Sequence, residues 1–198
     1  MLLSSRQKDI LIGTILGDGH LEKNGRDVRL RLDQGIKQKD YLTWKYREFK
    51  NLATSKPRII TEFHKIKQVN ITRAHFSTYT NKIFTFWKNI FYKERIKIIP
   101  KNINNILKSP LSLAVWFMDD GYKRNDCNAL RISTDSFTLE EQQLLVKCLK
   151  KNFGVNSKIH KKGKTFNIYI PNNSAKRFCQ IIKPFIVNSL LYKVSLTP

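Results

Sequence analysis

Acidic residues, cysteines and long apolar runs are all scarce in this chain. Fifteen Asp and Glu stand against 37 Lys and Arg, which leaves a net charge of +22. An excess that large resists compaction by self-repulsion unless a polyanion neutralises it, so nucleic acid is the expected partner, ahead of an anionic membrane surface. No apolar run approaches the ~20 residues needed to span a bilayer. The opening Met1-Leu2-Leu3-Ser4-Ser5-Arg6 leads into a charged helix start rather than a signal-peptide cleavage site. Cys127, Cys148 and Cys179 are odd in number and form no C-x-x-C pair, which excludes a disulfide framework and implies reduced thiols filling an intracellular core. His20, His64, His75 and His160 lack the spacing of a zinc site.

What is abundant completes the outline. Apolar residues make up 41% of the 198, enough for a packed core in one large domain or two of about 100 residues each. Usage is heavy in Ile, Lys and Asn, residues with A+T-rich codons. That bias points to an organelle or phage genome, and a mitochondrial or chloroplast interior is the expected location.

The order of elements repeats. Arg6–Gly17 is helix-like, with Ile10, Leu11, Ile15 and Leu16 apolar, and stops at Gly17-Asp18-Gly19. Val28–Asp33 alternates apolar with charged residues, the period of a half-buried strand. A second helix over Lys39–Leu52, strands near Arg58–Phe63 and Val69–Thr72, and a third helix over Lys82–Phe91 follow. The second part runs in the same order. It has a helix over Leu111–Met118 stopping at Asp119-Asp120-Gly121, a strand over Leu130–Thr134 and a helix over Leu139–Phe153 closed by Gly154. A hairpin turned at Lys162-Gly163 and a last helix over Ser174–Ile186 complete it. The chain therefore reads as a tandem duplication, with halves at 1–100 and 101–198.

Each half sets an Asp-Gly at the end of its first apolar helix. A carboxylate there faces the negative end of the helix dipole, unfavourable by ~0.3–1 kcal/mol. A bound divalent cation reverses that penalty, and hard oxygen ligands suit Mg²⁺. One Asp-Gly alone reads as a turn; two at matching places in a repeat do not. Gly13 and Gly17 lie on one helix face and leave a smooth stripe for close approach of a second helix.

With those residues in view, L-I-G-T-I-L-G-D-G (Leu11–Gly19) and L-A-V-W-F-M-D-D-G (Leu113–Gly121) resemble the two signature helices of the LAGLIDADG homing endonucleases, in the single-chain, two-motif form encoded in organellar introns. Further matches are Gln34–Leu42, Lys97-Ile98-Ile99-Pro100, Ser136-Phe137-Thr138 and Leu191-Tyr192-Lys193, so the likeness spans nearly the whole chain. It implies an α+β fold of two αββαββα units packed through the signature helices, with sheets forming a DNA-binding saddle. It implies a monomer that cuts both strands of a long, pseudo-asymmetric DNA site during intron homing, using Mg²⁺ with Mn²⁺ able to substitute. The metal acids correspond to Asp18 and Asp120, with the carbonyls of Gly17 and Asp119 as further ligands. The family's basic residue late in each half corresponds to Lys97 and Lys193, and its polar strand-end residue to Gln34. Metals held by two carboxylates supply the activated water and leaving-group stabilisation that phosphodiester hydrolysis requires, and the lysines are expected either to stabilise the developing charge or to activate the water.

Two departures are expected to matter. Val115 and Asp119 stand where Gly13 and Gly17 stand in the first motif, and Asp135 takes the place of an uncharged partner to Gln34. For readout, the polar strand faces offer Arg29, Arg31, Asn70, Thr72, Arg131, Ser133, Lys158, His160, Asn167 and Tyr169, and a two-stranded ribbon fits the major groove. Two other readings use the same basic surface. One is a maturase that helps intron RNA fold without needing the two acids; the other is a DNA-binding regulator on a nuclease fold.

Overall fold

The computed structural model describes residues 2–66 and 68–196. In chain order the elements are α1 (Ser5–Leu16), β1 (His20–Asn24), β2 (Asp27–Gly35), α2 (Lys39–Glu48), β3 (Arg58–His64), β4 (Val69–Ser77) and α3 (Lys82–Phe91). A short hairpin of β5 (Tyr92–Lys93) and β6 (Ile96–Lys97) follows, then α4 (Ile103–Ile106) and α5 (Pro110–Asp120). The second series is β7 (Gly121–Lys123), β8 (Leu130–Ile132), α6 (Leu139–Phe153), β9 (Lys158–Lys162), β10 (Thr165–Ile170) and α7 (Asn172–Ile182). The fold is α+β, and αββαββα occurs twice.

Two antiparallel four-stranded sheets share one plan, β1-β2-β4-β3 and β7-β8-β10-β9. In β2, Val28, Leu30, Leu32 and Gln34 are buried while Asp27, Arg29, Arg31 and Asp33 are partly exposed, the period-2 pattern of a sheet with one dry and one wet face. Leu130 and Ile132 in β8, with Ile168 and Ile170 in β10, form the dry face of the second sheet.

The compact units do not part at residue 100. One comprises the residues up to Gln7 together with Asp18–Lys88; the other comprises Lys8–Gly17 with everything from Asn89 onward. The body of α1 thus belongs with α5, and the sequence that follows it belongs elsewhere. The reason is the glycine stripe. A methyl group placed on Gly13 would lie 2.3 Å from the Ser112 carbonyl and 2.7 Å from Val115 Cβ, and one on Gly17 would lie 2.4 Å from Asp119 Cβ. Each glycine of the first motif therefore accommodates the larger residue at the corresponding place of the second. Ser112 Oγ donates to the Asp9 carbonyl at 2.7 Å across the same contact. Gly13→Ala should cost about 1–3 kcal/mol through overpacking, lowering Tm by about 2–4 °C for each kcal/mol. A thermal melt of the variant beside the parent protein checks this.

Local signals set several boundaries. Ser109 caps α5, its Oγ accepting from Leu111 N at 3.2 Å, with Pro110 at the first helical position. Thr138 and Glu141 form a capping box on α6, which ends at Gly154 with φ +62°. Among the elements beyond the sequence reading, two are strands of the four-stranded sheets. β1 has a single buried residue, Leu21, and β7 spans only Gly121–Lys123, too short and too polar for alternation to register. Helix α2 stops at Glu48, and Phe49–Leu52 turn toward the Ala53–Thr78 bridge.

Candidate metal centre and nucleic-acid interface

Asp18 lies in the turn two residues after the end of α1 and is exposed, between buried Gly17 and Gly19. Gln34, 5% exposed at the inward end of β2, donates Nε2 to Asp18 Oδ2 at 2.9 Å. The amide thus fixes one carboxylate oxygen. In the other unit Lys97 Nζ donates to the Gly17 carbonyl at 2.7 Å, one residue before Asp18 in the chain. Lys193, 7% exposed, repeats the arrangement on α5: its Nζ donates to the Met118 carbonyl at 2.6 Å and lies 3.5 Å from that of Asp119. Each lysine thereby sets an ammonium against the negative end of a signature helix, where a cation is favoured. The Gly17 carbonyl, expected as a metal ligand, accepts the Lys97 ammonium, and that of Asp119, expected in the same role, lies at the limit of hydrogen-bond distance from Lys193. Asp119 and Asp120 are both partly exposed at the end of α5.

The counterpart of Gln34 is not Asp135. Leu30, Leu32 and Gln34 are the inward residues of β2, and Leu130, Ile132 and Thr134 continue the same pattern in β8 and beyond. Leu32 pairs with Phe76 in the first sheet as Ile132 pairs with Ile168 in the second. Thr134 therefore holds the Gln34 position, but its hydroxyl donates to Gln142 Oε1 at 2.9 Å. Asp135 accepts from Thr165 Oγ1 at 2.9 Å and lies 3.2 Å from Lys162 Nζ. The two halves are chemically unequal at this position.

Among the described residues no group of three or more His, Cys, Asp or Glu gathers into a metal cage. The donors at the helix ends are carboxylate oxygens, with no thiol or imidazole, and this set fits Mg²⁺, which protein sites commonly hold through one or two carboxylates plus substrate phosphates.

Both sheets present a basic wet face. In the first, register places Arg29, Arg31, Asp33, Arg73, His75, Ser77 and Arg58 on one side. Arg29, Arg31, Arg58 and His75 line a groove of about 200 Å³. Asn70 and Thr72, expected on this face, lie on the opposite one with Ala74 and Phe76, and Thr72 bonds the Thr61 hydroxyl at 2.9 Å. One misassigned strand face accounts for both misplacements and for the omission of Arg73 and His75. The alternation was present in Arg73-Ala74-His75-Phe76-Ser77, beyond the strand end that the sequence indicated.

In the second sheet Arg131, Tyr169 and Lys158 share a face, as do Asn167 and His160 beside them; Ser133 continues the Arg131 side. His160 stacks on Tyr169 with centroids 4.2 Å apart and planes at 12°. Burial, followed by the charges of Arg131, Lys158 and Arg124, lowers the His160 pKa, which keeps the ring neutral at neutral pH. Asn167 is 1% exposed, so it underlies the face rather than lining it. A cleft of about 360 Å³ bordered by Tyr122, Lys123, Arg124 and Tyr192 reaches Lys193.

Comparison with known proteins adds four findings. The profile of the LAGLIDADG DNA endonuclease family matches residues 8–178. DNA endonuclease I-ChuI of Chlamydomonas applanata is 32% identical, over 98% of this chain and 97% of its own length. The cytochrome b mRNA maturase bI2 of Saccharomyces cerevisiae is 34% identical over 93% of the chain, which spans about half (46%) of that longer protein. Among solved structures, homing endonuclease I-WcaI bound to its DNA recognition sequence superposes with a TM-score of 0.93 at 27% identity, covering 100% of this chain and 89% of that one.

Proposed function

The chain belongs to the LAGLIDADG DNA endonuclease family, and we propose on that premise that it is a site-specific homing endonuclease hydrolysing both strands of duplex DNA with Mg²⁺. The observation that carries this reading is a duplicated arrangement at the ends of the two motif helices: Lys97 is bonded to the carbonyl of Gly17, the residue before Asp18, and Lys193 to that of Met118, two residues before Asp120. Asp18 and Asp120 would each supply a carboxylate ligand to divalent metal, with Mn²⁺ able to replace Mg²⁺. When bound, the metal supplies an activated water and neutralises charge at the leaving oxygen.

The chain's own residues do the rest. Gln34 orients the Asp18 carboxylate. Lys97 and Lys193 hold positive charge where a phosphate reacts, worth most in a site shielded from water, and the burial of Lys193 favours it in that respect. We assign the carbonyls of Gly17 and Asp119 to the lysines rather than to metal, because a cation and an ammonium on one oxygen repel. The wet faces of both sheets bind the duplex, with Arg29, Arg31, Arg131, Ser133, Lys158, His160 and Tyr169 on those faces. Both motifs lie in one chain, which supports action as a monomer, and the codon bias supports work inside an organelle.

The test is to incubate the protein with Mg²⁺ and a randomised duplex library and to sequence the cut ends. Ends should converge on one long site without strict two-fold symmetry, and EDTA should abolish them; ends scattered without consensus reject the reading. The maturase relative supports a second activity on the same surface, assistance to intron RNA folding. It predicts retained splicing assistance when Asp18 and Asp120 are replaced by Asn.

A further inference from the structure

The wet face of the first sheet carries carboxylates in a chain where acids are scarce. Arg31 donates Nε to Asp33 Oδ2 at 2.8 Å, and among the described residues neither of its terminal amino groups has a protein acceptor. Asp33 Oδ1 is buried without a hydrogen bond and lies 3.9 Å from Arg73 Nε. Arg73 in turn donates Nη2 to Glu62 Oε2 at 2.5 Å. A chain of alternating charge, Arg31–Asp33–Arg73–Glu62, therefore crosses β2, β4 and β3 on one side of the sheet.

Stability does not account for it, since exposed ion pairs contribute little. Affinity does not either, because a carboxylate facing a polyanion repels it. What Asp33 does achieve is orientation. A guanidinium held through Nε presents Nη1 and Nη2 as a fixed end-on fork, the shape that matches O6 and N7 of guanine in the major groove. The same face borders the groove lined by Arg29, Arg31 and Arg58.

We propose that Arg31 reads one guanine of the target through this fork, and that Asp33 is the positioning residue that lowers total affinity while raising sequence discrimination. The inference rests on the duplex-DNA reading above. Lys in place of Arg31 keeps the charge but loses the fork; Asn in place of Asp33 keeps the shape but removes the repulsion and weakens the brace.

The experiment equilibrates the full-length protein in EDTA with a randomised duplex library and sequences the bound fraction, for the wild type, Asp33→Asn and Arg31→Lys. The wild-type profile should hold a guanine column whose enrichment falls by about tenfold or more in both variants while the other columns persist. Asp33→Asn should bind the unselected library more tightly, and Arg31→Lys should leave the log–log salt slope unchanged. An intact guanine column in either variant, or uniform weakening of every column, overturns the proposal. Failure of the DNA reading itself looks different: a wild-type protein with flat salt dependence and no enriched column.

Discussion

Lys193→Met should slow cleavage of one DNA strand by about 10²–10³-fold, the loss expected when a positioned charge-stabilising group is removed from a reacting centre. Met keeps most of the aliphatic stem and volume, so packing around this 7%-exposed side chain survives. What disappears is the ammonium that bonds the Met118 carbonyl at 2.6 Å. Leaving that helix-end carbonyl without its donor should also cost about 1–3 kcal/mol of stability, so the assay belongs well below Tm. Lys97→Met should do the same to the opposite strand with less destabilisation, because Lys97 is only partly buried. Each variant should therefore convert a supercoiled plasmid carrying the selected site into nicked circles, and the two should nick different strands. Linear product at the parent rate from either variant would remove that lysine from the chemistry.

The inequality of the halves sharpens this expectation. Gln34 holds Asp18 through a 2.9 Å hydrogen bond, whereas Thr134, in the corresponding position, gives its hydroxyl hydrogen to Gln142. The two halves therefore differ chemically at this position, and the parent enzyme should cut its two strands at unequal rates.

Much of this was legible in the sequence. The helices over Lys82–Phe91 and Leu139–Phe153 are bounded as their periodicity and caps indicate, because apolar spacing and a capping box are local signals. The two motif helices and their acids were legible for a different reason, duplication, which lifts an ordinary Asp-Gly above a turn. Pairing register was not legible. β4 runs to Ser77 rather than Thr72, and a side chain's face depends on which strand it meets, so Asn70 and Thr72 were placed on the wrong side. The same gap put Asp135, rather than Thr134, opposite Gln34: the alternation of buried residues in β8 resolves it only once the strand is paired. The approach of Gly13 to Val115 and of Gly17 to Asp119 could be anticipated as a stripe but not as a matched set. It is that packing which places the body of α1 in the same compact unit as α5.

The carboxylates carry the largest effect. Asp18→Asn and Asp120→Asn remove one charge each with almost no change of shape, so folding should be preserved and only the metal-binding oxygen chemistry lost. Double-strand cleavage should become undetectable in both. Binding in EDTA should persist or tighten, since a carboxylate no longer opposes the phosphates. Asp119→Asn should be milder, because the motif register assigns the metal to its neighbour. The decisive measurement sets cleavage in Mg²⁺ beside binding in EDTA for Asp18→Asn, Asp120→Asn and Asp119→Asn on one selected duplex. The account predicts that the first two bind at least as well as the parent and give no detectable double-strand cleavage, while the third still cuts both strands. Cleavage of both strands near the parent rate by Asp18→Asn or Asp120→Asn would contradict it.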